Sequence, residues 1–237
     1  MPPIFSAPIR PVWLSNMATL PGNVDPLLST VQVAVLAKAP IAGLAKTRLI
    51  PALGAQGAAR LQRQLTQHAV ATAQAAGLGP VTLWCAPDAQ HRHFRALQHR
   101  TGLACRVQPE GDLGERMHSA FCLHCQQGPL LLIGTDCPPL QPQHLRRAAQ
   151  TLLAGDDAVF IPAEDGGYVL VGLRQPQAAI FKHMTWSTPE VMAQTRARAR
   201  AQGLRWQELE TLWDVDVPAD LERLRNHPWQ RPAPACA

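Results

Sequence analysis

Residues 31–49, with the sequence VQVAVLAKAPIAGLAKTRL, contain the pattern that decides the fold. The run from Val31 to Leu36 is almost wholly apolar, as in a strand that is buried on both faces. A loop with proline and glycine follows, and apolar residues at helical spacing then predict a helix over residues 56–76. Strand, loop and helix in this order indicate the first unit of an α/β fold.

The same unit recurs along the chain. Further strands are predicted over residues 81–85, 103–107, 130–133, 158–161 and 169–173, and further helices over residues 88–99, 113–124, 141–154 and 218–225. Residues 130–133 form the most apolar run and are expected to be the central strand. The alternation predicts a doubly wound, mostly parallel mixed sheet flanked by helices.

Domain boundaries follow from composition. Residues 1–30 are rich in proline and lack periodicity, which predicts an irregular extension. Residues 31–226 show no linker and no internal repeat, so we expect a single domain there, followed by a flexible tail over residues 227–237.

Charge and hydropathy narrow the class of protein. The net charge is +5, but the arginines are scattered, which argues against a nucleic-acid surface and favours small anionic substrates. The chain has no apolar run long enough to span a membrane and no signal-peptide pattern, so no membrane association and a cytoplasmic location are expected. The six cysteines are expected to be mostly reduced and buried.

The loop after the first strand carries two lysines and an arginine. Lysine is rare in this chain, so Lys38 and Lys46 in one loop indicate that an ammonium group is needed there. Lysine, the guanidinium of Arg48 and free backbone N–H groups together suit phosphates. We expect Lys46 and Arg48 to act on the phosphates in catalysis, with Lys38, Gly43 and Thr47 binding the substrate. The alternative is a solvated basic turn.

Aspartates follow two of the extended segments. Asp136 ends the apolar run 130–133 and is predicted to bind Mg²⁺ or Mn²⁺, which prefer oxygen ligands; an Asx-turn or a helix cap is the alternative. Asp214 and Asp216 lie on the same side of an extended segment, and Asp216 is expected to complete the metal site. Capping of the helix predicted over residues 218–225 is the alternative for Asp216.

Two glycine-containing segments are further candidates. In the segment 165–168, Asp165 is a candidate catalytic residue, and the glycines allow the backbone to approach a ligand, although a hairpin turn also favours Asp-Gly. Gly111 and Asp112 precede a helix whose N-terminus suits a phosphate or a sugar hydroxyl, and a cap on that helix is an equally good interpretation. Gly111, Asp112, Gly166, Gly167 and Tyr168 are therefore predicted substrate-binding residues.

The motifs together resemble a known family. They are Ala-Lys-x-Pro-x-x-Gly-x-x-Lys-Thr-Arg-Leu at 37–49, Gly-Asp-Leu-Gly-Glu-Arg-Met at 111–117, Gly-Thr-Asp-Cys-Pro at 134–138, Asp-Gly-Gly-Tyr at 165–168, Trp-Ser-Thr at 186–188 and Asp-Val-Asp at 214–216. Over residues 31–225 they are similar to the DUF2064 family, some of whose members are named arsenosugar-biosynthesis glycosyltransferases. The resemblance implies a glycosyltransferase-A-like (GT-A) nucleotide-diphospho-sugar transferase fold, with Asp136 where related enzymes bind metal.

The resemblance carries one departure and one further likeness. The Asp-x-Asp metal motif that is usual in this fold is reduced to Asp136, because position 138 is Pro138. The segment 37–48 also resembles the phosphate loops of molybdenum-cofactor and phospholactate nucleotidyltransferases.

These observations predict a transferase that uses a nucleotide-activated donor. The leading expectation is metal-assisted transfer of a glycosyl group from a nucleotide diphosphate sugar to a small acceptor, with Mg²⁺ or Mn²⁺ on Asp136 and Asp216. Asp165 is expected to position or deprotonate the acceptor, and Trp186 to contact the substrate. The alternatives are nucleotidyl transfer from a nucleoside triphosphate and a nucleotide-binding module without catalysis.

Overall fold

The computed structural model describes residues 26–228. Its elements are, in chain order, β1 (Gln32–Lys38), α1 (Ile50–Ala75), β2 (Val81–Ala86), α2 (Arg92–Thr101), β3 (Ala104–Val107), α3 (Leu113–His124), β4 (Leu130–Ile133), α4 (Pro142–Leu153), β5 (Ala158–Pro162), β6 (Tyr168–Leu173), α5 (Ala178–Phe181), α6 (Val191–Ala201), β7 (Trp206–Glu208) and α7 (Asp220–Asn226). Short 3-10 helices cover Pro26–Thr30 and Thr47–Leu49.

The strands form one mixed sheet in the order β3-β2-β1-β4-β6-β5-β7. β6 is antiparallel to β4 and β5, and the other neighbouring strands are parallel. β4 lies at the centre with all its residues buried, which confirms the prediction from its continuous apolar run. The chain leaves β1 towards β2 and β3 and returns to β4 on the other side of β1, so the strand order reverses between β1 and β4. In such sheets, ligands bind beyond the carboxyl ends of the strands at this reversal.

Helices cover both faces of the sheet. Residues of α1, α2 and α4 build the larger apolar core on one face, and residues of α3, α5 and α6 build the second core on the other. A third cluster joins Leu49, Leu61 and Leu65 to Trp213, Val215 and the α7 residues Leu221 and Leu224. This cluster fixes the segment that carries Asp214 and Asp216 against the start of α1.

Several elements differ from the sequence-based expectation. The range of α1 starts at Ile50, where Pro51 suits the first helical turn, but Gly54, with φ of 67°, interrupts the helical conformation. The long regular part of α1 therefore begins directly after Gly54, close to the expected start at residue 56. Strand β7 has only three residues and was not predicted.

The chain ends also bear on the expected boundaries. Of the irregular extension predicted over residues 1–30, residues 1–25 lie outside the described part of the chain. Its last five residues, Pro26–Thr30, form a 3-10 helix, and Leu28 packs into the larger core, so the domain begins before residue 31. The tail predicted over residues 227–237 lies outside the described residues from residue 229 onward.

Of the five described cysteines, all free, Cys85 and Cys137 are buried, Cys105 and Cys125 are partly exposed and Cys122 is exposed. Within the described residues, no helix is long and apolar enough to cross a membrane.

Candidate functional site

A cleft of about 820 Å³ opens at the carboxyl ends of β1, β2 and β4, where the strand order reverses. Four basic and four acidic side chains line it: Lys38, Lys46, Arg48 and Arg116, and Asp136, Asp165, Asp214 and Asp216. The predicted residues Thr47, Gly167, Tyr168 and Trp186 also line it. The structure therefore brings together most of the candidates from five separate motifs.

Lys46 is the central cation of the cleft. Its Nζ lies 2.8 Å from Asp136 Oδ2 and donates a hydrogen bond of 2.5 Å to the Val215 carbonyl, and its side chain is only 4% exposed. The backbone of Lys46 is left-handed, with φ of 48°, a conformation that a residue with a Cβ rarely adopts. A buried lysine in this backbone conformation is typical of a functional position.

Asp136 is held on both sides. Its Oδ1 accepts a hydrogen bond of 3.0 Å from Thr135 Oγ1, which in turn accepts one of 3.1 Å from Gln62 on α1. Its Oδ2 faces Lys46, yet the side chain remains 44% exposed. The carboxylate is therefore oriented by its neighbours and still accessible from the cleft.

The segment 213–217 is attached to the loop after β4 by Val215. Its N–H donates to the Asp136 carbonyl at 2.9 Å, its carbonyl accepts from Lys46, and its side chain is fully buried. Because side chains alternate along an extended segment, Asp214 and Asp216 on either side of Val215 both reach the cleft. Asp216 pairs with Arg48 and does not cap α7.

Asp214 has the most unusual environment of the four aspartates. No described residue donates a hydrogen bond to its carboxylate. Burial, together with the negative charges of Asp165 and Asp136, raises the pKa of Asp214 to about 6, although Lys46 opposes this shift. Sequence reasoning placed Asp214 beside Asp216 but chose Asp216 as the ligand.

We expect Asp214→Asn to stabilise the protein at pH 8. The pKa of Asp214 in the fold, about 6, is above that of an unfolded aspartate, about 3.9, so folding stability falls as pH rises between these values. The substitution removes this unfavourable charge, and Tm should rise by a few degrees at pH 8, where one kcal/mol corresponds to about 2–4 °C for a chain of this size. Thermal unfolding at pH 4, where the parent carboxyl is largely protonated, should show little difference. An equal gap at both pH values would contradict this origin.

The opposite wall of the cleft comes from β6, α3 and the segment 186–188. Asp165 Oδ1 accepts from the Gly167 N–H at 2.8 Å, so the carboxylate lies over the turn into β6. Arg116 uses only its Nε, on the Gly111 carbonyl at 3.0 Å, among the described residues. The buried Trp186 Nε1–H has no acceptor among residues 26–228. Ser187 has a left-handed backbone, with φ of 63°. This wall offers mainly hydrogen-bond donors.

Four predicted binding residues lie outside the cleft lining. Asp112 caps α3, since its Oδ1 accepts from the Glu115 N–H while Glu115 Oε2 accepts from the Asp112 N–H. A Cβ at Gly111 would lie 2.2 Å from that Glu115 carboxylate, and one at Gly166 would lie 2.1 Å from the Pro189 carbonyl. Gly43, with φ of 85°, allows the basic loop to turn. Each is placed for a local structural role.

The donor set fits a divalent cation that is shared with a phosphate. Among the described residues, no three His, Cys, Asp or Glu side chains are placed to hold an ion by themselves. Mg²⁺, however, is usually bound through one or two carboxylates and substrate phosphates. The accessible Asp136 and Asp214, whose carboxylate accepts no hydrogen bond from the described residues, meet this requirement. A cation would offset the burial and the repulsion that raise the pKa of Asp214.

A family model matches residues 51–188, and its description is "Uncharacterized protein conserved in bacteria (DUF2064)". Among curated proteins, the phosphoenolpyruvate guanylyltransferase of Sphaerobacter thermophilus is 27% identical over 190 residues, which cover 77% of this chain and 87% of that protein.

Solved structures agree with the fold. A Desulfovibrio desulfuricans G20 protein, provisionally named a nucleotide-diphospho-sugar transferase, is 26% identical with a TM-score of 0.75, covering 86% of this chain and 91% of that one. A Mycobacterium tuberculosis H37Rv protein, solved in complex with manganese, is 18% identical with a TM-score of 0.51, covering 83% and 98%, and shares the fold alone.

Proposed function

Because the chain belongs to the DUF2064 family and is a transferase with a nucleotidyl- or nucleotide-sugar-transferase-like fold, we propose that it transfers a nucleotidyl group from a nucleoside triphosphate to a small anionic acceptor. The observation that carries this proposal is the contact between Lys46 and Asp136 at the reversal of the strand order. A phosphate bound there can meet a cation of the loop and, through a metal, a carboxylate after β4.

The basic loop favours a triphosphate over a nucleotide diphosphate sugar. A triphosphate and its pyrophosphate leaving group carry more negative charge than the diphosphate of a sugar nucleotide. The loop offers Lys46, Lys38 and Arg48, and among the described residues Lys38 has no carboxylate partner. In this proposal Lys46 binds the α-phosphate, while Lys38 and Arg48 bind the leaving pyrophosphate and stabilise its developing charge.

We further propose Mg²⁺ or Mn²⁺ as cofactor, with Asp136 and Asp214 as its protein ligands. When bound, the ion would neutralise charge on the phosphates of the donor. Asp216, the second ligand expected from the sequence, is paired with Arg48 and instead orients that guanidinium towards the cleft. The role of Lys46 is then to hold Asp136 until phosphate oxygens replace the carboxylate.

The acceptor is proposed to bind on the donor-rich wall. The guanidinium of Arg116 and the hydroxyl of Ser187 suit a carboxylate or a phosphate group. Asp165 would position the attacking oxygen or accept its proton. Phosphoenolpyruvate in the name of the Sphaerobacter relative belongs to this chemical class. A nucleoside triphosphate substrate also supports the expected cytoplasmic location.

Glycosyl transfer is the second candidate, because the Desulfovibrio neighbour is provisionally named a nucleotide-diphospho-sugar transferase and has the TM-score of 0.75. The two reactions differ in their leaving groups. Nucleotidyl transfer releases pyrophosphate, whereas glycosyl transfer releases a nucleoside diphosphate.

The test is product analysis with two donor panels. The protein, Mg²⁺ or Mn²⁺ and a set of small phosphorylated and carboxylated acceptors are incubated with the four ribonucleoside triphosphates and, separately, with nucleotide sugars. We expect pyrophosphate only in the first series. Nucleoside diphosphate release from the second series alone would support glycosyl transfer, and binding of nucleotides without any product would leave a nucleotide-binding module.

A further inference from the structure

Gln108, directly after β3, has both amide hydrogens engaged by the ends of two neighbouring strands. Its Nε2 donates to the Trp84 carbonyl at 2.8 Å and to the Ala37 carbonyl at 3.2 Å, and its backbone N–H donates to the Cys85 carbonyl at 2.9 Å. The side chain therefore extends from β3 across β2 to the end of β1, beside the basic loop.

These contacts fix the orientation of the carboxamide. Both side-chain partners are carbonyl oxygens, which can only accept, so the atom that faces them must be Nε2 and the other must be Oε1. No residue within 26–228 donates a hydrogen bond to Oε1, and Gln108 lines the cleft. The site thus holds a preoriented hydrogen-bond acceptor next to the phosphate loop.

Few donors surround this acceptor. Pro87 lines the same part of the cleft and Pro109 follows Gln108, and neither has a backbone N–H. The Ala39 N–H is engaged by the Ala86 carbonyl at 2.7 Å. This arm of the cleft therefore accepts hydrogen bonds, in contrast to the donor-rich wall that carries Arg116 and Trp186.

We propose that Gln108 selects a guanine base, an inference that rests on the proposed nucleotidyl transfer. With the phosphates on the basic loop and the anionic acceptor on the donor-rich wall, the acceptor-rich arm is left for the base. Guanine presents two adjacent N–H groups, N1–H and the 2-amino group, on its Watson–Crick edge. On the same edge, adenine and cytosine have a hydrogen-bond acceptor, a ring nitrogen, next to their amino group. Uracil has a single N–H on this edge, between two carbonyl groups. Guanine is the base whose donors best match Oε1.

The inference is tested by binding, before any turnover. Dissociation constants for GTP, ITP, ATP, CTP and UTP are measured with Mg²⁺ and without acceptor, for the parent and for Gln108→Met. ITP lacks the 2-amino group and retains every other feature of GTP. We expect the parent to bind GTP about tenfold more tightly than ITP, as for the loss of one hydrogen bond at a partly buried acceptor. In Gln108→Met this ratio should fall towards one.

Controls separate selection from a structural role. Gln98→Met, on the exposed side of α2, should keep the parent ratio of GTP to ITP affinities. If Gln108→Met is not folded, Gln108→Asn withdraws the acceptor by one methylene and should reduce the same ratio. Equal affinity of the parent for GTP and ITP, or an equal loss for all nucleotides in the variants, would overturn the role of Gln108 alone. Absence of any nucleotide binding would overturn the proposed function with it.

Discussion

Replacing Asp136 by asparagine is expected to lower the rate of nucleotidyl transfer by about a thousandfold. The substitution removes the charge of one ligand from the proposed metal site, and with it several kcal/mol of stabilisation of the charge that develops in the transition state. The amide keeps the shape of the side chain, but its one oxygen can accept a hydrogen bond from Thr135 or from Lys46 and not from both. Because the side chain is 44% exposed, water can reach the group that loses its partner, and we expect the fold to be retained. The measurement is pyrophosphate release against Mn²⁺ concentration, together with Mn²⁺-dependent nucleotide affinity by calorimetry.

Asp156→Asn is the matched control. Asp156 is also partly exposed, and it accepts a hydrogen bond from the side chain of Gln207, but it lies away from the cleft lining. It should behave as the parent in both measurements. If Mn²⁺ changes neither rate nor affinity in the parent, Asp136 has no metal to bind and the Lys/Arg loop must hold the phosphates alone.

Lys46→Met is expected to change the affinities for nucleotide and for metal in opposite directions. Loss of a charge-assisted contact of about 1.5–3 kcal/mol should weaken nucleotide binding by about 10- to 150-fold. Without Lys46, however, Asp136 and Asp214 lose their neutralising cation, so Mn²⁺ alone should bind more tightly than to the parent. Calorimetry with each ligand separately measures both effects. Methionine retains an apolar stem in the buried position.

The opposite signs distinguish this result from damage to the fold, which would weaken both ligands. Lys182→Met replaces an exposed lysine outside the cleft and should leave both affinities unchanged. If the Lys46→Met protein binds nucleotide as tightly as the parent, the loop does not bind phosphate and is an ordinary basic turn.

Local sequence signals predicted most of the fold because five of the seven strands are short, mainly apolar runs. The central position of β4 followed from four successive buried apolar residues, and the cap on α3 is visible as Asp112 with Glu115 three residues later. The position of β6 between β4 and β5 was harder to predict from the sequence. Its antiparallel pairing depends on contacts among three strands and not on the sequence of any one of them.

The different environments of Asp214 and Asp216 could not be predicted from sequence. Their spacing places both on one side of the segment, but which carboxylate meets Arg48 depends on a contact across 168 positions. Gln108 was missed for the same reason: its amide is oriented by carbonyls of two other strands. Long-range contacts determine the environments of these side chains, whereas the residue types alone left them open.

The attachment of Lys46 to Val215 joins two positions that are 169 residues apart, and both lie outside the segment 51–188 that the family model matches. The matched segment carries Asp136 and Asp165, while the two flanks carry the basic loop and the extended Asp-Val-Asp segment. Divergence in one flank is therefore constrained by the other. Across relatives, we expect changes at positions 46 and 48 to be accompanied by changes at 214–216, so that the two ends of the domain evolve as a single unit.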